Sequence, residues 1–129
     1  MLLGLPGGAW VLVDGGGFAK SDFDVGERVV LPALMTLGVG RLDLAVLTHA
    51  HMDHGGGLVS VLEAFPPGEI WVGRTPPDHP LVQRLYGFAS EHGIPLLHPT
   101  RGSIKCLGPT CLEVLHPPAG YRRGAPVSN

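Results

Sequence analysis

Four side chains able to ligate a metal, His49, His51, Asp53 and His54, are packed into one short stretch of this chain, directly after the apolar run Leu44 to Thr48. The run reads as a buried strand that delivers the chain into His49. In extended backbone, residues two apart point to the same side, so the imidazoles of His49 and His51 can reach one ion. Asp53 and His54 follow where the chain must turn towards the next helix, and they can serve a second ion close by. A carboxylate beside imidazoles suits zinc, manganese or iron, and a cluster without cysteine argues against a closed structural zinc site. Gly55-Gly56-Gly57 lets the backbone pass close to such ions and opens the following helix, whose N-terminal amides favour an anionic substrate. The cluster therefore demands a strand, a metal-binding loop and a helix in that order.

The rest of the chain repeats this alternation. Trp10-Val11-Leu12-Val13 predicts a buried strand running into Asp14 and Gly15-Gly16-Gly17. Asp24 and Glu27 form a capping box for a helix carrying Val29, Val30, Ala33, Leu34 and Leu37, with Gly38 as its stop; Pro32 inside it predicts a kink or a later start. A helix is expected over Gly57 to Phe65, a strand over Glu69 to Val72, and an amphipathic helix through Leu81, Leu85, Phe88 and Ala89 that ends near Gly93. Pro95 to His98 supplies a fourth strand, and Ser103–Leu107 with Cys111–His116 a hairpin. Strands alternating with helices imply an α/β layered fold with a largely buried sheet.

Composition narrows the function classes. At 129 residues, 44% of them hydrophobic and 16% charged, the chain suits one globular domain or part of one. A net charge of −2 gives no whole-surface attraction to nucleic acid or to an acidic membrane, so anion binding has to be local. No apolar run approaches the ~20 residues of a membrane helix, and Met1–Pro6 has no basic leader, so the chain as written reads as soluble and unexported. Cys106 and Cys111 flank a Leu-Gly-Pro-Thr turn. They read as two reduced, small apolar residues, with a cross-hairpin disulfide as the alternative in an exported protein.

Asp14, at the end of its strand, is the candidate supporting carboxylate: it can accept the distal N–H of a ligand histidine and fix its tautomer, or simply cap the turn. His79, His92 and His98 sit beside Pro or Gly or near a helix end and read as surface residues; His116, closing a predicted strand, is the better additional ligand. The stretch Gly15 to Ser21 lacks the spacing and the second glycine of a phosphate loop.

The run Thr48-His49-Ala50-His51-Met52-Asp53-His54-Gly55-Gly56-Gly57 resembles the signature of the metallo-β-lactamase superfamily, and Asp14 in Leu12-Val13-Asp14 resembles its first motif. A narrower likeness runs through Asp24–Leu34, Leu37-Gly38-Val39, Leu42-Asp43 and the cluster, and returns at Leu115-His116-Pro117-Pro118 and Val127-Ser128-Asn129. These segments are similar to the C-terminal hydrolase domain of the ComEC channels of natural DNA uptake. The resemblance implies an αββα sandwich holding one or two zinc or manganese ions. It also implies phosphodiester hydrolysis on the DNA strand that is not imported, at the extracytoplasmic face of the membrane beside channel helices. Asp53 would orient the attacking water as well as bind metal.

The superfamily completes its site with a histidine, a bridging Asp and a last histidine from its second half, which the resemblance does not find within residues 1–129. The expectation is thus a partial domain, one βα half plus the following hairpin, with one sheet face short of its partner layer. Such a chain would be marginally stable, self-associating, or both, and weakly active. The competing readings are another superfamily hydrolase, a thioesterase or lactonase, and a non-catalytic gene fragment.

Overall fold

Short strands that are apolar on every residue have to be covered on both sides, and the layers follow from that. The computed structural model describes residues 2–14, 31–48, 58–73 and 78–115. Its elements in chain order are β1 (Leu2–Gly4), β2 (Trp10–Val13), α1 (Leu31–Thr36), β3 (Leu44–Leu47), α2 (Leu58–Ala64), β4 (Ile70–Val72), α3 (Pro80–His92), β5 (Leu96–Leu97), β6 (Ile104–Leu107) and β7 (Thr110–Glu113). Strands β1 to β5 form one sheet in sequence order, antiparallel between β1 and β2 and parallel from β2 through β5; β6 and β7 form a separate antiparallel pair.

The register sorts the strand side chains into two faces. Leu12, Ala45 and Ile70 lie in one row across the sheet and Leu47 and Val72 in the next row on the same side. They join one core with Leu34 of α1, Val61 and Leu62 of α2, and Leu81, Val82, Leu85, Phe88 and Ala89 of α3. Val11, Leu44 and Trp71 are buried on the opposite face, where Leu107, Leu112 and Val114 of the hairpin pack on them beside half-buried Val13 and Val46. Glu69 holds the hairpin over this face: its carboxylate accepts from the Trp71 indole N–H at 2.6 Å and from Lys105 Nζ at 3.3 Å. The order of layers is helices, mixed sheet, hairpin.

The predicted elements stand with shifted bounds. Pro32 falls in the first turn of the described helix α1, where a missing N–H costs little. Among the described residues of the expected stripe only Leu34 is fully buried, while Leu37 is 59% exposed and Met35, outside the stripe, 72%. Asp24, Glu27 and the segment 15–30 lie outside the described residues. α3 ends where expected: Gly93 takes the left-handed conformation at φ 66°, and the N–H of Ile94 closes on Ala89 O at 2.9 Å. β1 went unread because three residues carry too little pattern. The structure corrects the reading of the cysteines: Cys106 and Cys111 are directly opposed in the β6–β7 register and joined as a disulfide. β7 stops at Glu113, and His116 lies outside the described residues.

The sheet face expected to be bare is covered by the hairpin, and the exposed large apolar side chains are spread among the described residues instead, at Met35 and Leu37 by α1, Leu97 of β5, Ile104 of β6 and Leu115 just beyond β7. Among the described residues, no helix is long and apolar enough to cross a membrane.

Candidate metal centre at the exit edge of the sheet

Because β2, β3 and β4 run parallel, their C-terminal ends share one edge of the sheet. Asp14 leaves β2 there, Thr48 leaves β3 and Gly73 leaves β4. Edges of this kind are where open α/β sheets bind ligands, since loops can be varied there without disturbing the core.

Asp14 turns the chain abruptly. It is the non-glycine residue with positive φ, 52°, among the described residues, a conformation that Asp and Asn tolerate better than most side chains. Its own N–H donates to Val46 O at 2.8 Å, continuing the β2–β3 ladder by one more bond. Its carboxylate reaches across to the end of β3, where Oδ1 accepts the Thr48 N–H at 3.0 Å and Oδ2 accepts the Thr48 hydroxyl at 2.8 Å. Bonds to an ionised acceptor are the stronger kind, and two from one residue fix its rotamer as well as its backbone. The third strand presses from the other side: Gly73 N–H donates to Leu47 O at 2.7 Å, and a Cβ on Gly73 would stand 2.3 Å from Thr48 O. Only a residue without a side chain fits so close to that carbonyl.

His49, His51, Asp53 and His54 lie outside the described residues, as does the Gly55–Gly57 run. Among the described residues, no group of three or more His, Cys, Asp or Glu side chains could hold a metal ion. The three remaining described histidines have other partners. His79 caps α3, its Nδ1 accepting the Leu81 N–H at 3.1 Å. His92 stacks on Phe88 with ring centroids 4.3 Å apart and bonds Phe88 O through Nδ1 at 3.0 Å. His98 Nε2 meets the Tyr86 hydroxyl. The surface reading of these three holds in part: His79 is half-buried and structural.

Sequence reasoning placed Asp14 correctly at a strand end but assigned no role to Thr48, which reads as an ordinary β-branched strand residue. Its position immediately before the first candidate ligand was the available signal.

A mixed sheet with helices on one face and a β-hairpin on the other, and an exit edge feeding a His-x-His-x-Asp-His run, define the class. The chain belongs to the metallo-β-lactamase superfamily, whose family model matches residues 1–112. It is similar to ComE operon protein 3 of Bacillus subtilis (strain 168), with 27% identity over 100 residues. That match takes in 78% of this chain but 13% of the relative's length.

The donor chemistry of residues 49–54, three imidazoles and one carboxylate with no thiolate, fits one or two divalent cations of the kind used in hydrolysis.

Proposed function

We propose that this chain carries the metal-binding part of a metal-dependent hydrolase domain that cleaves phosphodiesters, with DNA as the substrate. His49 and His51 hold one divalent ion, zinc or manganese, and Asp53 and His54 help to hold a second. Such ions supply Lewis-acid activation of a water and offset the charge that develops on the attacked centre. Asp53 orients the water for attack. Asp14 steadies the ligand loop from the neighbouring strand end.

One observation carries this reading more than any other: the cluster follows directly on Thr48, at an exit edge that is braced from both neighbouring strands. The resemblance of Asp24–Leu34 and of residues 48–57 to the hydrolase domain of the ComEC channels supports DNA uptake as the setting, with channel domains as neighbours at the extracytoplasmic membrane face. The domain organisation that fits best is a partial αββα sandwich over 1–129, to which further ligands from a second half would be added. Four ligands or fewer should bind metal weakly and turn over slowly.

The test titrates zinc and manganese into the chain, then compares a plasmid, a bis-phosphodiester, a thioester and a lactone, each with and without chelator. Slow, chelator-sensitive phosphodiester cleavage that is lost in Asp53→Asn is the expected result. Hydrolysis of the thioester or lactone alone would shift the assignment to another reaction of the superfamily. Fast phosphodiester turnover would show that residues 49–54 suffice without further ligands.

A further inference from the structure

We propose that Thr48 is a positioning residue for the metal centre: its hydroxyl and amide, clamped on both oxygens of Asp14, fix the direction in which β3 releases the chain into His49. The inference rests on the metal-binding reading above and extends it to a residue with no ligating atom of its own in that reading.

Three observations converge on Thr48, and each fixes a different part of it. The amide is held by Asp14 Oδ1 at 3.0 Å and the hydroxyl by Asp14 Oδ2 at 2.8 Å. The carbonyl is confined by the backbone of Gly73, whose missing Cβ would stand 2.3 Å away. The preceding residue is pinned by the Gly73 N–H to Leu47 O bond at 2.7 Å. Donor, side chain and acceptor of one residue are thus set by two different strands. Asp14 is in turn held in a left-handed conformation, φ 52°, that an L-residue adopts at a cost, so the neighbouring bonds must over-determine it.

A tether of this kind matters most for the residue covalently attached to it. Ligand atoms have to sit within a few tenths of an ångström of their places around an ion, and a loop that begins from a free strand end samples many directions. Thr48 removes that freedom at the last residue before the first ligand. Supporting groups around metal ligands are commonly worth about 10- to 100-fold in affinity. A purely structural threonine would affect the stability of the fold and leave the affinity of folded molecules alone.

The experiment measures zinc affinity by competition with a chromophoric chelator, on the wild-type chain and on Thr48→Val, Thr48→Ser and Asp14→Asn. Unfolding of each metal-free protein is followed separately. Thr48→Val keeps the shape and the amide but deletes the hydroxyl, and it is expected to weaken zinc binding about tenfold. Thr48→Ser restores the hydroxyl and is expected to restore the affinity. Combining Thr48→Val with Asp14→Asn should cost less than the two changes summed, since they break one shared contact. Should Thr48→Val fail to fold, Asp14→Asn carries the same comparison, because it replaces one clamping oxygen with an amide N–H2. Zinc binding by Thr48→Val or its stand-in as tight as wild type, at whatever cost to metal-free stability, would overturn the positioning role alone. A wild-type chain that binds no zinc would instead overturn the metal centre, and this role with it.

Discussion

At the scale of single residues, the exit edge is decided by what Gly73 lacks. A Cβ on Gly73 would lie 2.3 Å from Thr48 O, and a backbone carbonyl cannot rotate aside as a side chain could. Gly73→Ala must therefore part the ends of β3 and β4. We expect a loss of about 1–3 kcal/mol in urea unfolding, the usual range for overpacking. A loss of zinc affinity should accompany it, because the displaced carbonyl belongs to Thr48. An unchanged unfolding midpoint would show that the two strand ends are loose enough to absorb a methyl group. Gly73 does not stand out in the sequence, and Thr48 does so only as the first residue of the signature-like run, with nothing in that run to show what it contacts. The four candidate ligands do stand out, because their spacing is chemically specific. Ligand chemistry is legible one residue at a time, whereas the close approach of two strand ends becomes visible only once they are paired.

At the scale of elements, helices with recognisable ends were read best. α3 was placed from its apolar stripe and from Gly93, and both stand. Replacing Gly93 by Ala puts a Cβ into the left-handed conformation at φ 66°; a loss of about 1 kcal/mol is expected in thermal or urea unfolding. The start of α3 was less legible, because histidine is an uncommon cap and its role through Nδ1 depends on its rotamer. The hairpin was anticipated, but the state of its cysteines was not: spacing alone fits a reduced pair as well as a bonded one. The Cys106–Cys111 bridge closes a short loop, with a sequence separation of 5. The chain-entropy relation then gives it about 2 kcal/mol, well below what a long loop would gain. Reduction, or replacement of both cysteines by serine, should lower the unfolding free energy by about that amount and leave α1, α2 and α3 in place. Because the hairpin packs on the cluster containing Trp71, Trp emission should shift to the red before far-ultraviolet helical signal is lost. Simultaneous loss of both signals would make the hairpin part of one cooperative unit with the helices.

The whole molecule is built unequally about its sheet. The helical side buries residues from every described helix, whereas the other side rests on one hairpin and the Glu69 contacts. Apolar residues on every position of β3 and β4 foretold two covered faces, but nothing in those strands says which cover is thick. That asymmetry makes the stability of the whole sensitive to anything that binds only the folded form. The proposed ligands lie between β3 and α2 in sequence, so an ion held there would tie the sheet to its helical layer. Its binding free energy would then be added to the free energy of folding. At a zinc concentration about 100 times the dissociation constant, the gain is about 2.7 kcal/mol. The unfolding midpoint should accordingly rise with zinc, level off only logarithmically, and return on chelation. His49→Ala combined with His51→Ala should abolish the rise. A zinc-dependent rise that survives the double replacement would place the ion elsewhere in the molecule and detach the exit edge of the sheet from metal chemistry.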